Sequence, residues 1–295
     1  MTARRAGPLA AGAALTLLAA LTAAAPRPGL TVHVTPERPR NGDVVLIRVH
    51  GAPPDLAGEW SGRPLPLFPV AGGAAAVVGV DLETPVGPLR WRLFRPTANG
   101  GQLVVGTGAV RIQPRQFETQ HLTLPPGQVD LDAPTLARVK AEQAEMAATL
   151  AGGLGERLWE GPFVKPVEGG RETGGFGLRR VINKQPRSPH SGYDWAAPRG
   201  TPVLAANAGR VALVAEHFFP GRLVVLDHGL GLYTLYFHLD EARVMGGARV
   251  ERGQPIGTVG STGRATGPHL HFGVTIGGAR VDPLTLLGLV PPDPS

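Results

Sequence analysis

Residues 190–194 read His-Ser-Gly-Tyr-Asp, residues 236–239 read Tyr-Phe-His-Leu, and residues 269–271 read His-Leu-His. Imidazole and carboxylate are zinc ligands, and neutral imidazole is also a general base near neutral pH. In a strand, His269 and His271 point to one face while Leu270 and Phe272 take the other. An isolated His-x-His is more often an exposed polar pair on an edge strand; the other clusters reverse that balance. Pro189 and Gly192 discourage a helix through His190 and Asp194, whereas a loop entering a strand would bring both side chains to one point. With His271 they make a His₂Asp donor set and leave a fourth tetrahedral position for water, as a catalytic zinc site requires. Zinc lowers the pKa of bound water from about 15.7 to about 7 and polarises carbonyl groups.

Peptide hydrolysis also needs a group to manage the proton and the oxyanion. No His-Glu-x-x-His occurs, so the helical glutamate base of many metallopeptidases is absent. His238 and His269 are the remaining candidates, with His217 and His228 in competition. His228 precedes Gly229 in a turn after a strand and reads as structural. His217 lies in an expected loop, Glu216 to Pro220, and has no matching spacing. His33 and His50 are isolated and read as surface or strand residues.

Cysteine is absent, which excludes thiolate zinc sites, disulfides, cysteine nucleophiles and a lipobox. Any metal must be held by His, Asp or Glu. The net charge is +6, carried mostly by arginine, since Lys140, Lys165 and Lys184 are the lysines. The arginines are dispersed and no nucleic-acid-binding signature accompanies them, so nucleic acid is not an expected partner. An arginine-biased composition accounts for the charge, and attraction to an anionic cell wall is the second reading.

The elements that must position these residues are mainly β. Gly 42 and Pro 30 in 295 residues, with only 5% aromatics, favour many short strands joined by tight turns. Residues 1–25 read as a signal peptide: a basic start at Arg4 and Arg5, an apolar run from Leu9 to Leu21, then small residues. The alternative is an uncleaved anchor. Either places the remainder outside the cytoplasm, and after signal removal no stable membrane contact is expected. Residues 26–113 alternate short apolar runs with turns and predict a β-sandwich domain. Residues 114–160 are a linker, stiffened by Pro125-Pro126, with one amphipathic helix. Asp132 is its N-cap, Pro134 sits in its first turn, and Gly152-Gly153 ends it. A brace between domains is the expected role of that helix, and a gate near the groove is the alternative. Residues 161–295 form a second β-rich domain that carries the clusters.

Six blocks, taken together, carry a resemblance: Phe176-Gly-Leu-Arg-Arg180, His190 to Asp194, Gly200-Thr-Pro-Val203, Tyr236 to Leu239, Gly253-Gln-Pro-Ile-Gly257, and Gly260 through Phe272. Residues 161 to 287 resemble the lysostaphin/LytM-type zinc endopeptidases, which cut peptides in bacterial peptidoglycan. Residues 30 to 112 are more loosely similar to an Ig-like domain found before the catalytic domain in some members. The resemblance implies one zinc ion per chain on His190, Asp194 and His271, with His238 and His269 as the catalytic histidines. It implies a narrow groove over an antiparallel sheet. Arg264, in the glycine loop before His269, is a candidate lining residue, with ordinary loop solvation as the equal alternative. Some members that cut glycine bridges carry a tyrosine shortly before the first ligand. Residues 182–189 hold none, which leaves Tyr193 or Tyr236 as substitutes. The expected function is an exported zinc endopeptidase of the periplasm or cell envelope that hydrolyses peptidoglycan crosslinks or stem peptides. The alternatives are a non-catalytic wall-binding regulator of another peptidoglycan hydrolase, which would make such hydrolases partners, and a peptidase for secreted proteins or free peptides.

Overall fold

The computed structural model describes residues 29–123, 131–153 and 155–292. The expected signal peptide and Pro125-Pro126 lie outside the described residues. The N-terminal strands are β1 (Thr31–Thr35), β2 (Val44–His50), β3 (Ala57–Trp60), β4 (Arg63–Pro64), β5 (Phe68–Val70), β6 (Gly73–Gly79), β7 (Gly87–Pro96) and β8 (Gln102–Ile112). They form two antiparallel sheets, ordered β1-β2-β6-β5 and β4-β3-β7-β8. The short strands β3 to β5 fall in a Pro- and Gly-rich stretch whose pattern shows no clear alternation.

Strand β2 is apolar on both faces, and each face has its own partner. Val45, Ile47 and Val49 meet Trp60, Leu93, Val105 and Ile112 inside the sandwich. Val44 and Leu46 point the other way and share a core with Trp159, Leu286 and Val281 of the C-terminal domain. Both β2 faces are therefore dry, and the sandwich and the second domain are packed as one body.

The chain then gives β9 (Thr119–Leu122) and α1 (Ala133–Ala151). The Asp132 carboxylate accepts from the Thr135 backbone N–H at 2.9 Å, so the expected N-cap forms, and Gly152 ends the helix. Strands β10 (Arg171–Gly174), β11 (Arg179–Ile182), β12 (Gln185–Arg187), β13 (Gly192–Ala196), β14 (Pro202–Leu204), β15 (Gly209–His217) and β16 (Gly221–Asp227) follow. The last elements are β17 (Leu232–Ala242), β18 (Arg249–Val250), β19 (Pro255–Val259), β20 (His269–Ile276), β21 (Ala279–Val281) and α2 (Pro283–Leu287). The central path of the large sheet of the second domain runs β10-β13-β20-β17-β16-β15-β18. One face of this sheet, with Tyr193, Trp195, Tyr236, Leu270 and Phe272, joins the core shared with the sandwich. On the opposite face Leu213, Leu223, Val225, Tyr233 and Leu235 are covered by Met146 and Leu150 of α1.

Helix α1 is thus not a brace between the domains. It lies on the face of the sheet that carries the histidine clusters. Glu142 accepts from the Phe218 backbone N–H and Glu145 bonds the His217 ring, both at 2.8 Å. His217 is not a loop residue: it ends β15 and is buried against the helix. On the other flank, β9 pairs in parallel with β11, so the linker is part of the second domain's surface.

Candidate active site

Strand pairing assembles the site. Asp194 on β13 lies directly opposite His271 on β20, and His271 lies opposite Phe237 on β17. His190 sits in the turn before β13, pinned by backbone bonds between His190 and residues 177 and 178 at 2.8 and 2.9 Å. Its Nδ1–H donates to the Gly175 carbonyl at 2.8 Å, which leaves Nε2 as the lone-pair nitrogen. That Nε2 lies 3.1 Å from Asp194 Oδ1 and 2.9 Å from His271 Nδ1, and the last pair is 2.8 Å apart. All three side chains are buried.

The donor set fits zinc. Two imidazole nitrogens and one carboxylate oxygen converge on a single point, and tetrahedral bonds of about 2.0–2.2 Å need only slightly wider separations. Burial opposes ionisation of Asp194, but the adjoining His190 and His271 rings outweigh it and hold the carboxyl well below the usual range. Burial pushes the His271 ring down as well, against the pull of Asp194, which keeps it neutral. An ionised carboxylate facing neutral imidazoles is the protonation state a metal requires.

Gly192 makes room for this arrangement. A Cβ there would lie 2.6 Å from His271 Nε2 and 2.5 Å from the Phe272 carbonyl oxygen. The glycine of the His-x-Gly-x-Asp cluster is therefore a packing requirement of the facing histidine.

His238 and His269 stand beside the donor set, with ring centroids 4.7 Å apart. Each is aimed by a backbone carbonyl: His238 Nδ1–H donates to Thr262 and His269 Nδ1–H to Gly267, both at 2.8 Å. Nε2 is the lone-pair nitrogen in each. Burial above all, with the neighbouring His271 and His269 rings acting in the same direction, pushes the His238 ring down to about 3, so it is neutral at pH 7. The His238 backbone is left-handed at φ 63°, an unusual conformation for a residue with a side chain. Strand alternation would send residues 237 and 238 to opposite faces. Here both line the groove, with Phe237 stacked on the His271 ring at 5.1 Å.

Two loops hold that conformation. The His238 N–H donates to the Pro220 carbonyl, and the Arg264 N–H to the Phe219 carbonyl, at 2.8 and 2.9 Å. The Thr262 hydroxyl donates to the Leu239 carbonyl and accepts from the Arg222 N–H, at 2.8 and 2.9 Å. Gly221 (φ 65°) and Gly263 (φ 68°) meet where these loops cross, too close for a side chain on either.

The resulting groove of about 520 Å³ is lined by His190, Asp194, His238, His269 and His271, with Phe219, Phe237, Arg180, Arg264 and Gln120. The five candidates share one groove. His217 and His228 are excluded from it. His228 is fully buried, between the Ala208 carbonyl and the Thr234 hydroxyl, at 2.7 Å each. His33 and His50 are exposed residues of β1 and β2 in the sandwich and do not line the groove. Neither substitute tyrosine reaches the groove. Tyr193 and Tyr236 point into the core, where the Tyr236 hydroxyl accepts from the Ala206 N–H at 2.8 Å. Alternation along β13 and β17 dictates this, because Asp194 and Phe237 occupy the groove face. Sequence marks Gly192 only as a residue that discourages a helix, and it does not single out Arg180 or Thr262. Arg180 lay within the Phe176–Arg180 block, but nothing local marked its side chain.

Known proteins are similar to this chain. Residues 188–283 match peptidase family M23. The peptidoglycan DD-endopeptidase ShyA of Vibrio cholerae serotype O1 is 43% identical over 113 residues, covering 38% of this chain and 26% of that protein. The DD-carboxypeptidase/endopeptidase Mpg of Neisseria meningitidis serogroup B is 38% identical over 130 residues, covering 39% of this chain and 30% of that protein. The chain spans only about a quarter to a third of the length of these curated relatives. A Pseudomonas aeruginosa M23 structure is similar over nearly its whole length: 31% identity, 85% of this chain, 96% of that one, TM-score 0.67. That match spans the sandwich as well as the histidine groove, and with it the chain belongs to peptidase family M23.

Proposed function

We propose that this protein is an exported zinc-dependent endopeptidase that hydrolyses peptide bonds in bacterial peptidoglycan. The observation that carries the reading is the convergence of three buried donor atoms within 3.1 Å of one another, beside two histidines aimed by backbone carbonyls. His190, Asp194 and His271 would hold the ion. When bound, zinc supplies Lewis acidity, acidifying water and polarising a carbonyl. His238 and His269 then share the proton work: accepting the proton of the attacking water at Nε2, donating to the developing oxyanion and protonating the leaving amine. Phe219 and Pro220, in the α1-supported turn after β15, and Phe237 form the groove wall that orients an extended peptide. ShyA and Mpg, by name, act on peptidoglycan or as DD-peptidases, which favours a wall peptide as substrate.

Purified sacculi incubated with the protein, with and without chelator, test the reading by mass spectrometry of released fragments. Chelator-sensitive release of peptide fragments is expected. Sacculi left intact by zinc-loaded protein, or release indifferent to chelator, would sink it. A protein that holds no zinc yet stimulates another wall hydrolase would favour the regulator instead.

A further inference from the structure

Two guanidinium groups lie in the groove without acidic partners of their own. Arg180 on β11 and Arg264 in the loop before β20 both line it, and among the described lining residues Asp194 is the sole carboxylate. Arg180 Nη2 stands 3.9 Å from Asp194 Oδ2, while the other oxygen, Oδ1, faces His190 and His271. Arg180 Nε is buried without a hydrogen-bond partner. Arg264 is stacked on Phe219 with Cζ 4.2 Å from the ring centroid, and no carboxylate lies within ion-pair distance of it among the described residues.

These cations are held at a cost. Burial and the charges of Arg180 and Arg187 all push Arg264 down from its ordinary value. A buried cation normally has a hydrogen-bonded counter-charge. Asp194 cannot fill that role for both, because its charge is committed to the His₂Asp set. A divalent ion held there would make the groove more positive still. The rigid mount of Arg264, whose backbone is tied to Phe219 beside Gly263 and Gly221, keeps the guanidinium over the groove.

We propose that Arg180 and Arg264 form a receptor for a substrate carboxylate close to the scissile bond, so that the enzyme selects anionic peptides. This rests on the peptidase reading and specifies its substrate class. The shared chemistry is a carboxylate that accepts charge-assisted hydrogen bonds from guanidinium groups. It comes either from a free C-terminal α-carboxylate or from an acidic side chain.

Binding to metal-free protein tests this without reference to turnover. Three synthetic wall-type peptides of one sequence serve as probes: fully acidic, amidated at the C-terminus, and amidated at the side-chain carboxylate. Calorimetry is expected to show the acid binding about tenfold or more tighter than one of the two amides, which identifies the source. In Arg264→Gln that acid-to-amide ratio falls toward one, with the circular dichroism spectrum and zinc stoichiometry unchanged. On zinc-loaded protein the same substitution changes KM for the acid more than kcat. Equal binding of all three peptides by the natural protein overturns the proposal, as does a preference that survives in both Arg264→Gln and Arg180→Gln. Sacculus digestion without any carboxylate preference refutes this inference alone. A carboxylate preference without any peptide hydrolysis refutes the peptidase reading alone.

Discussion

The His238 ring is tied to Thr262 by a single hydrogen bond, Nδ1–H to the main-chain carbonyl at 2.8 Å, across 24 residues of sequence. The Thr262 hydroxyl in turn bridges Leu239, the residue after His238 on the bulged β17, and Arg222 of the neighbouring β16. Thr262 is therefore a positioning residue for the ring. Thr262→Val keeps the shape and deletes the bridge. Its kcat is expected to fall roughly tenfold, with zinc content unchanged, whereas His238→Ala should lose about 10²–10⁴-fold. Steady-state kinetics with metal analysis on the same samples checks both. A Thr262→Val enzyme with full kcat would remove Thr262 from the mechanism.

Metal retention should separate the two residues of the His-x-His pair. His271→Ala removes a donor and is expected to lose both zinc and activity. His269→Ala should keep about one zinc per chain while losing activity, since its ring lies outside the donor set. Gly192→Ala should behave like His271→Ala although it touches no ion, because its methyl group would occupy the space of the His271 ring. Overpacking of this kind costs about 1–3 kcal/mol, so the variant should fold with a lowered Tm. Stoichiometric zinc in Gly192→Ala would show that the strand relaxes around the extra carbon.

His228 gives stability a pH dependence away from the site. Burial pushes its ring down to about 4, opposed by the hydrogen bond to the Ala208 carbonyl. Its folded value lies below the unfolded one, near 6.5. The unfolded chain thus binds the proton more readily in between, and stability is lost as pH falls through that window. Between pH 7 and pH 5 the loss is about 2 kcal/mol. Carboxylates with depressed values, such as Asp81, act only at lower pH. Urea unfolding of metal-free protein at both pH values should show a smaller difference in His228→Gln than in the natural protein. An identical difference would assign the acid sensitivity elsewhere.

The sandwich and the catalytic domain should unfold together. Arg280 of β21 holds Asp81 with side-chain bonds of 2.9 and 3.1 Å, and its backbone N–H donates to the same carboxylate at 2.8 Å. Arg115 reaches Asp282 at 2.5 Å, and the Thr285 hydroxyl accepts from the Val44 N–H at 3.1 Å. Behind these bonds Val44, Leu46, Phe68 and Val77 share a dry core with Trp159 and Leu286. One calorimetric transition is expected, and Leu46→Asp should lower it for both domains. Two separate transitions in the natural protein would contradict a shared core.

The residues that the fold gathers into the candidate site were legible in the sequence as candidates, and so was the mainly β character of the chain. The reason is that the governing signals are short-range. Strand alternation puts His269 and His271 on one face, and Pro189 and Gly192 rule out a helix at His190. The absence of cysteine restricts any metal to nitrogen and oxygen donors, and Asp132 caps its helix through a residue three positions on. What tertiary structure alone decided depends on partners distant in sequence. Alternation suggests nothing of the left-handed backbone at His238, which two crossing loops impose and which brings Phe237 and His238 to the same face. The same long-range packing sent Tyr193 and Tyr236 to the core, laid α1 against the groove face and gave β2 two buried faces. It also left Arg180 and Arg264 together in the groove, from segments more than 80 residues apart. No local pattern encodes which side chains are withheld from solvent together, because burial is a property of the assembled surfaces.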